Sequence, residues 1–157
     1  MTRLRTLVLT LLIIAIIVPV LAACGTGGVG TVTVSGTQAL QTQVVPVEGG
    51  GSYTDVNAAG LGSMLESKDF PLINVHVPYE GEIDGTDLLV PYDEIELNLD
   101  KLPADKGAKL VVYCRSGGMS AIAARTLVNL GYTHVWNLDG GMIAWTEAGY
   151  PLVDEGR

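Results

Sequence analysis

Apolar and polar positions alternate between two periods along the C-terminal two thirds of the chain. Residues 109–113 (KLVVY) are a short apolar, β-branched and aromatic run, which predicts a buried strand. Directly after it, Met119, Ala123, Leu127 and Leu130 recur at spacings of three and four. That spacing predicts an amphipathic helix over 119–130, stopped by Gly131. Upstream, 56–67 reads as a helix with Leu61, Met64 and Leu65 on one face, and 71–77 (PLINVHV) as a buried strand. A short strand follows at 88–90 and a short acidic helix at 92–99, carrying Ile95, Leu97 and Leu99. The last elements are a strand at 133–138, a turn at Asp139-Gly140-Gly141 and a helix at 142–148, ended by Gly149 and Pro151. Strands alternating with helices predict an α/β fold, a central and mainly parallel sheet with helices on both faces. In such sheets the site lies beyond the carboxyl ends of the strands, which is where residue 114 falls.

The first residues follow a different rule. Arg3 and Arg5 precede an uncharged, mostly apolar run from Leu7 to Val20, then Leu21-Ala22-Ala23-Cys24-Gly25. A positive start, an apolar core and small residues before a cut describe a secretory signal over 1–23. The LAAC tetrapeptide resembles the lipobox of bacterial lipoproteins, which implies cleavage before Cys24 and lipid attachment to it. An uncleaved membrane anchor is the alternative, because the apolar run is almost long enough to span a bilayer. Either way the remainder is expected to be exported and held at a bacterial membrane, on a periplasmic or extracellular face. Residues 24–52 are rich in Gly, Thr, Ser, Val and Gln and close on Gly49-Gly50-Gly51, which predicts a flexible tether. Its alternating stretches 31–35 and 43–47 leave open an added edge strand. The globular domain is then expected over 53–157, enough for one small core.

Charge narrows the partners. The chain has 9 basic and 17 acidic residues, net −8. Loss of residues 1–23 removes Arg3 and Arg5 and no acid, leaving 7 basic against 17 acidic, net −10. Such a balance argues against nucleic acid or anionic lipid as the partner. Any anion site must therefore be local. The two cysteines are Cys24 and Cys114. With lipid on Cys24, Cys114 has no intrachain disulfide partner and is an exported free thiol.

Cys114 sits between the 109–113 strand and the 119–130 helix, followed by Arg115-Ser116-Gly117-Gly118. A glycine-containing loop at a helix N-terminus aims backbone N–H groups and the helix dipole at one anion. Both favour the thiolate, the nucleophilic form of cysteine. A cysteine ending a buried strand also serves as a small core residue, but a Gly-Gly pair beside an arginine is poor packing and good anion cradling.

These residues resemble the rhodanese family of sulfurtransferases over nearly all of the globular part. CRSGGMS, 114–120, looks like the active-site loop, whose family pattern is Cys-Arg-x-Gly-x-Arg-Ser. LDGGMIAW, 138–145, and the AGYPL after it look like the closing Gly-Gly-x-x-x-Trp and Gly-x-Pro segments. INVHVPYEGEIDGT, 73–86, stands in place of the family's Asp-Val-Arg and Gly-His-Ile-x-Gly-Ala stretch. The resemblance implies a small rhodanese-like domain in which Cys114 takes sulfane sulfur from a donor such as thiosulfate and passes it, as a persulfide, to cyanide or a thiol. It implies that the N–H groups of Arg115, Ser116, Gly117, Gly118, Met119 and Ser120 hold the persulfide and the departing anion. Arg115 would clamp the donor, and Ser120 would cap the helix and hydrogen-bond the loop. No metal or organic cofactor is implied. Related cysteine phosphatases place an arginine where Ser120 stands, so phosphatase activity is not expected.

The chain also departs from the pattern. Met119 replaces a second arginine and offers neither charge nor a strong donor. It either faces the pocket, favouring less charged donors such as persulfides or polysulfides, or turns inward as core. Asn74 and His76 replace the family's Asp and Arg, and Glu82 replaces its His, adding negative charge. His76 and His134 read as structural, Arg125 as a solvated position, Trp136 and Trp145 as core or pocket wall. Asp84, Asp87, Asp93, Glu94 and Glu96 read as a solvated face with no metal-site spacing. Two functions follow: an active sulfurtransferase, or a non-catalytic rhodanese-like module that binds a partner or carries sulfur.

Overall fold

A computed structural model of the chain describes residues 39–156. The expected signal 1–23, Cys24 and the 31–35 stretch lie outside the described residues. Six strands form one sheet in the order β1-β2-β6-β5-β3-β4. They are β1 Thr42–Pro46, β2 Ser52–Val56, β3 Leu72–Asn74, β4 Leu88–Leu89, β5 Leu110–Tyr113 and β6 Val135–Leu138. All pairings are parallel except β1 with β2. The helices are α1 Ala58–Leu65, α2 Gly118–Asn129 and α3 Gly141–Glu147, with 3-10 turns over Ile95–Lys101 that kink at Asn98.

Strand alternation divides the core into two layers. Leu110, Val112 and Cys114 point to the side where Ala123, Ala124 and Leu127 of α2 pack with Ile95. Val111 and Tyr113 point to the side of Leu61 from α1 and Met142 and Trp145 from α3. All four residues of β5 are buried, the mark of a strand covered on both faces. The α/β sheet with helices on both faces is therefore the observed fold. Among the described residues no helix is long and apolar enough to cross a membrane.

At the start of the domain the structure shows the edge strand that the alternating stretch 43–47 left open, in place of tether. Residues 42–46 are not tether: Thr42 through Pro46 pair residue by residue with Val56 through Ser52. The glycines at 49–51, expected to end a linker, instead make the hairpin turn. All three have positive φ, and Val47 N–H donates to Gly51 O at 3.0 Å. Asn57 fixes the chain further upstream. Its Oδ1 accepts from Gln41 N at 3.0 Å and Gly60 N at 2.9 Å, and its Nδ2 donates to Ala39 O at 3.0 Å. That cap also sets the start of α1 at Ala58 rather than 56. The strand expected at 71–77 stops at Asn74, whose Oδ1 accepts from His76 N at 3.0 Å and turns the chain.

Candidate active site

Cys114 follows β5 directly and is only 1% exposed. Gly117 adopts φ 89°, a left-handed conformation that lets the chain fold back and start α2 at Gly118. In this fold the Gly117 N–H donates to Cys114 Sγ at 3.1 Å. The fully buried Ser120 hydroxyl lies 3.4 Å from the same sulfur and 3.2 Å from Gly117 O, so its one proton serves either acceptor. Gly118, Met119 and Ser120 open a 12-residue helix, and their N–H groups have no acceptor in a preceding turn. The sulfur thus sits at the positive end of α2 with two donors on it. Ser120 bonds the loop as expected. It does not cap α2: Gly117 occupies the cap, and no side chain bonds there.

The loop is braced from its other side. Met142 N–H donates to Cys114 O at 2.9 Å, and Ile143 N–H to Arg115 O at 3.0 Å. Gly141 makes this approach possible. A Cβ there would lie 2.3 Å from Cys114 O and 2.7 Å from Arg115 C, at a φ of 59°. Gly117 meets Gly140 in the same way, its Cβ position being 3.2 Å from Gly140 N. Sequence reasoning treated Gly140-Gly141 as a turn and missed this brace. The available signal was a second Gly-Gly pair opening a helix, like Gly117-Gly118.

The flanking residues fall into distinct places. Met119 is half-buried and packs against the apolar cluster that contains Cys114. Arg115 and Ser116 are exposed. Arg115 Nε lies 3.0 Å from Glu80 Oε2, and the same oxygen is 3.4 Å from His76 Nε2. The His76 side chain is 8% exposed, and neither ring nitrogen has a hydrogen-bond partner. The Arg115–Glu80 pair walls a cleft of about 110 Å³ completed by Met142, Ile143, Thr146 and Leu152. Glu82 is buried and does not join the solvated face; its backbone is bridged to Val153 at 2.9 and 2.8 Å. His134 is exposed, and its Nδ1 bonds Gly107 O at 2.6 Å. Arg125 is exposed. Trp145 is core: its Nε1–H donates to Pro151 O at 2.9 Å, and Tyr150 stacks on it at 4.2 Å.

Beneath the site, the Tyr113 hydroxyl accepts from Ile83 N at 3.0 Å and shares a proton with Thr86 Oγ1 at 2.7 Å. Burial pushes the Tyr113 phenol up to about 12. Asn74 Nδ2 donates to Gly81 O at 3.1 Å, closing the turn that carries Glu80.

Residues 58–148 match the family model described as rhodanese-like domain. A sulfurtransferase of Allochromatium vinosum is 34% identical over 103 residues, covering 63% of this chain and 94% of that protein. A tRNA uridine(34) hydroxylase of Erwinia tasmaniensis is 28% identical over 117 residues, and this chain spans only 33% of its length. Among solved structures, a rhodanese-related protein of Thermoplasma volcanium aligns at TM-score 0.54 and 30% identity, over 63% of this chain and 96% of that one. A rhodanese-like domain protein of Staphylococcus aureus aligns at 0.54 and 28%, over 64% and 98%. The braced cysteine loop at the end of β5 and the match that spans it lead to one conclusion: this chain belongs to the rhodanese-like domain family.

Proposed function

We propose that the protein is an exported, membrane-tethered sulfurtransferase that carries sulfane sulfur on Cys114. The family and its sulfurtransferase relative support a sulfurtransferase-type activity. The single observation that carries the reading to Cys114 is the convergence of the Gly117 N–H and the Ser120 hydroxyl on its sulfur at the N-terminus of α2. In the first half-reaction the Cys114 thiolate attacks the outer sulfur of a donor. With thiosulfate the S–S bond breaks, sulfite leaves with the bonding pair, and Cys114 keeps a persulfide anion. In the second, an acceptor thiolate or cyanide attacks the terminal sulfur, and the Cys114 thiolate is regenerated. The N–H groups of 115–120 stabilise the charge that passes through the loop, while Arg115 orients the donor. The donor is a small sulfane compound, thiosulfate, a persulfide or a polysulfide. The tether is lipid on Cys24.

The full chain in detergent is expected to form thiocyanate from cyanide and a sulfane donor, and Cys114→Ala to lose that activity by at least about a thousandfold. No Cys114-dependent activity with thiosulfate or polysulfide would sink the enzyme reading. A second reading, a non-catalytic module or sulfur carrier, is favoured by Met119, which packs on the core where relatives of this pattern place an arginine. Mass spectrometry separates the two: a carrier holds a persulfide on Cys114 without turnover, and a pure scaffold holds none. For the tether, labelling with palmitate is expected in the full chain and absent in Cys24→Ala. Equal labelling of both would refute the lipid anchor.

A further inference from the structure

Arg115 is the only Lys or Arg in the 114–120 loop, and it is not free to meet an anion as a bare cation. Glu80 Oε2 lies 3.0 Å from its Nε. His76 Nε2 lies 3.4 Å from the same oxygen. The guanidinium remains 59% exposed and the carboxylate 43%, so an incoming donor meets both charges together. Such a pair is close to neutral at a distance, on a chain of net charge −8. The repulsion a donor feels from Glu80 scales with the donor's own charge. The loop supplies dipoles that suit any developing anion, but no second cation, because residue 119 is a methionine.

We infer that Glu80 is a specificity-determining residue that selects donors by charge at the Cys114 loop. It disfavours dianions such as thiosulfate and admits monoanionic or uncharged sulfane donors, with an organic persulfide as the fitting chemical class. The inference rests on the sulfur-transfer reading for its donors, but charge selection at the thiol is measurable without turnover. For an organic persulfide, the Cys114 thiolate attacks the terminal sulfur, the donor S–S bond breaks, and the donor leaves as its thiolate. Cys114 holds the persulfide, and electrons and charge balance with no added oxidant.

The test uses Glu80→Gln in the full chain, because the amide keeps an acceptor for Arg115 and removes the charge. Two donors of like chemistry are compared, thiosulfate as dianion and an arenethiosulfonate as monoanion. The variant is expected to lower the KM for thiosulfate about three- to five-fold, with kcat unchanged, and that for the thiosulfonate less than about twofold. Raising salt to about 1 M should shrink the difference between variant and native protein, since exposed charges are screened. Independently, the rates at which iodoacetate and iodoacetamide alkylate Cys114 are read by mass on its peptide. Their ratio should rise about twofold in Glu80→Gln, as expected for a monoanion against a neutral reagent. Equal KM changes for both donors, or an unchanged alkylation ratio, would overturn the inference. If the ratio rises yet neither donor gives Cys114-dependent transfer, charge selection stands and the sulfurtransferase reading fails.

Discussion

The Cys114–Ser120 loop and the 74–86 segment meet at the Arg115–Glu80 pair, yet different kinds of group hold them. Peptide groups build most of the loop. Gly117 N–H meets the sulfur, and Met142 and Ile143 N–H hold the carbonyls of Cys114 and Arg115. Side chains hold much of the other segment: Asn74 closes its turn, and the Tyr113 hydroxyl and Thr86 anchor its far end. A peptide donor is common to nearly every residue, so a backbone-built site tolerates a changed side chain, such as Met119, but not an added Cβ. A side-chain-built segment is the reverse. There the charge can be rewritten, as with Asn74 and His76, without disturbing the sulfur.

The sharpest way to break this contrast is Gly141→Ala. Its Cβ would fall 2.3 Å from Cys114 O at a positive φ, whereas Gly149, also at positive φ, has nothing within 4 Å. Gly141→Ala should cost about 3–5 kcal/mol and abolish persulfide formation, against about 1 kcal/mol for Gly149→Ala. Urea unfolding of both variants decides it. Equal costs would mean that the brace is incidental.

A smaller effect tests the side-chain anchor. The folded-state pKa of Tyr113 is raised from 10.0 to about 12. Its contribution is therefore fully present below pH 10 and is lost as pH rises through about 12. Native stability should fall by roughly 2–3 kcal/mol across that window relative to Tyr113→Phe, which lacks the phenol. Parallel curves for the two proteins would remove Tyr113 as the anchor.

The smallest effect probes the rewritten charge. Asn74→Asp restores the family's residue, keeps the acceptor for His76 N, and turns the Gly81 carbonyl from a partner into a repulsive neighbour. It should destabilise by about 1–2 kcal/mol in denaturant unfolding at neutral pH. A gain in stability would show that Asn74 is not tuned to this turn.

Much of this is legible in the sequence alone. The apolar run at 109–113, the spacing of three and four that follows it and the run at 133–138 placed β5, α2 and β6 to within a residue or two, because each signal lies within a few neighbouring residues. β2 escaped notice because Ser52, Thr54 and Asp55 do not read as an apolar run. Asp55 is at home there through Asn137 Nδ2, which donates to it at 2.7 Å from a strand 82 residues away. The 49–51 glycines looked like linker, since a glycine run reads the same whether or not a partner strand waits beyond it.

By itself, then, the sequence determined the α/β order, the strand-cysteine-glycine-helix arrangement at residue 114 and the acidic balance. Each is a property of neighbours along the chain. Tertiary structure decided that Gly141 braces the loop and that Glu80 sits on Arg115. Those outcomes depend on groups 27 and 35 residues apart in sequence, whose approach is set by how sheet and helices pack rather than by any local pattern.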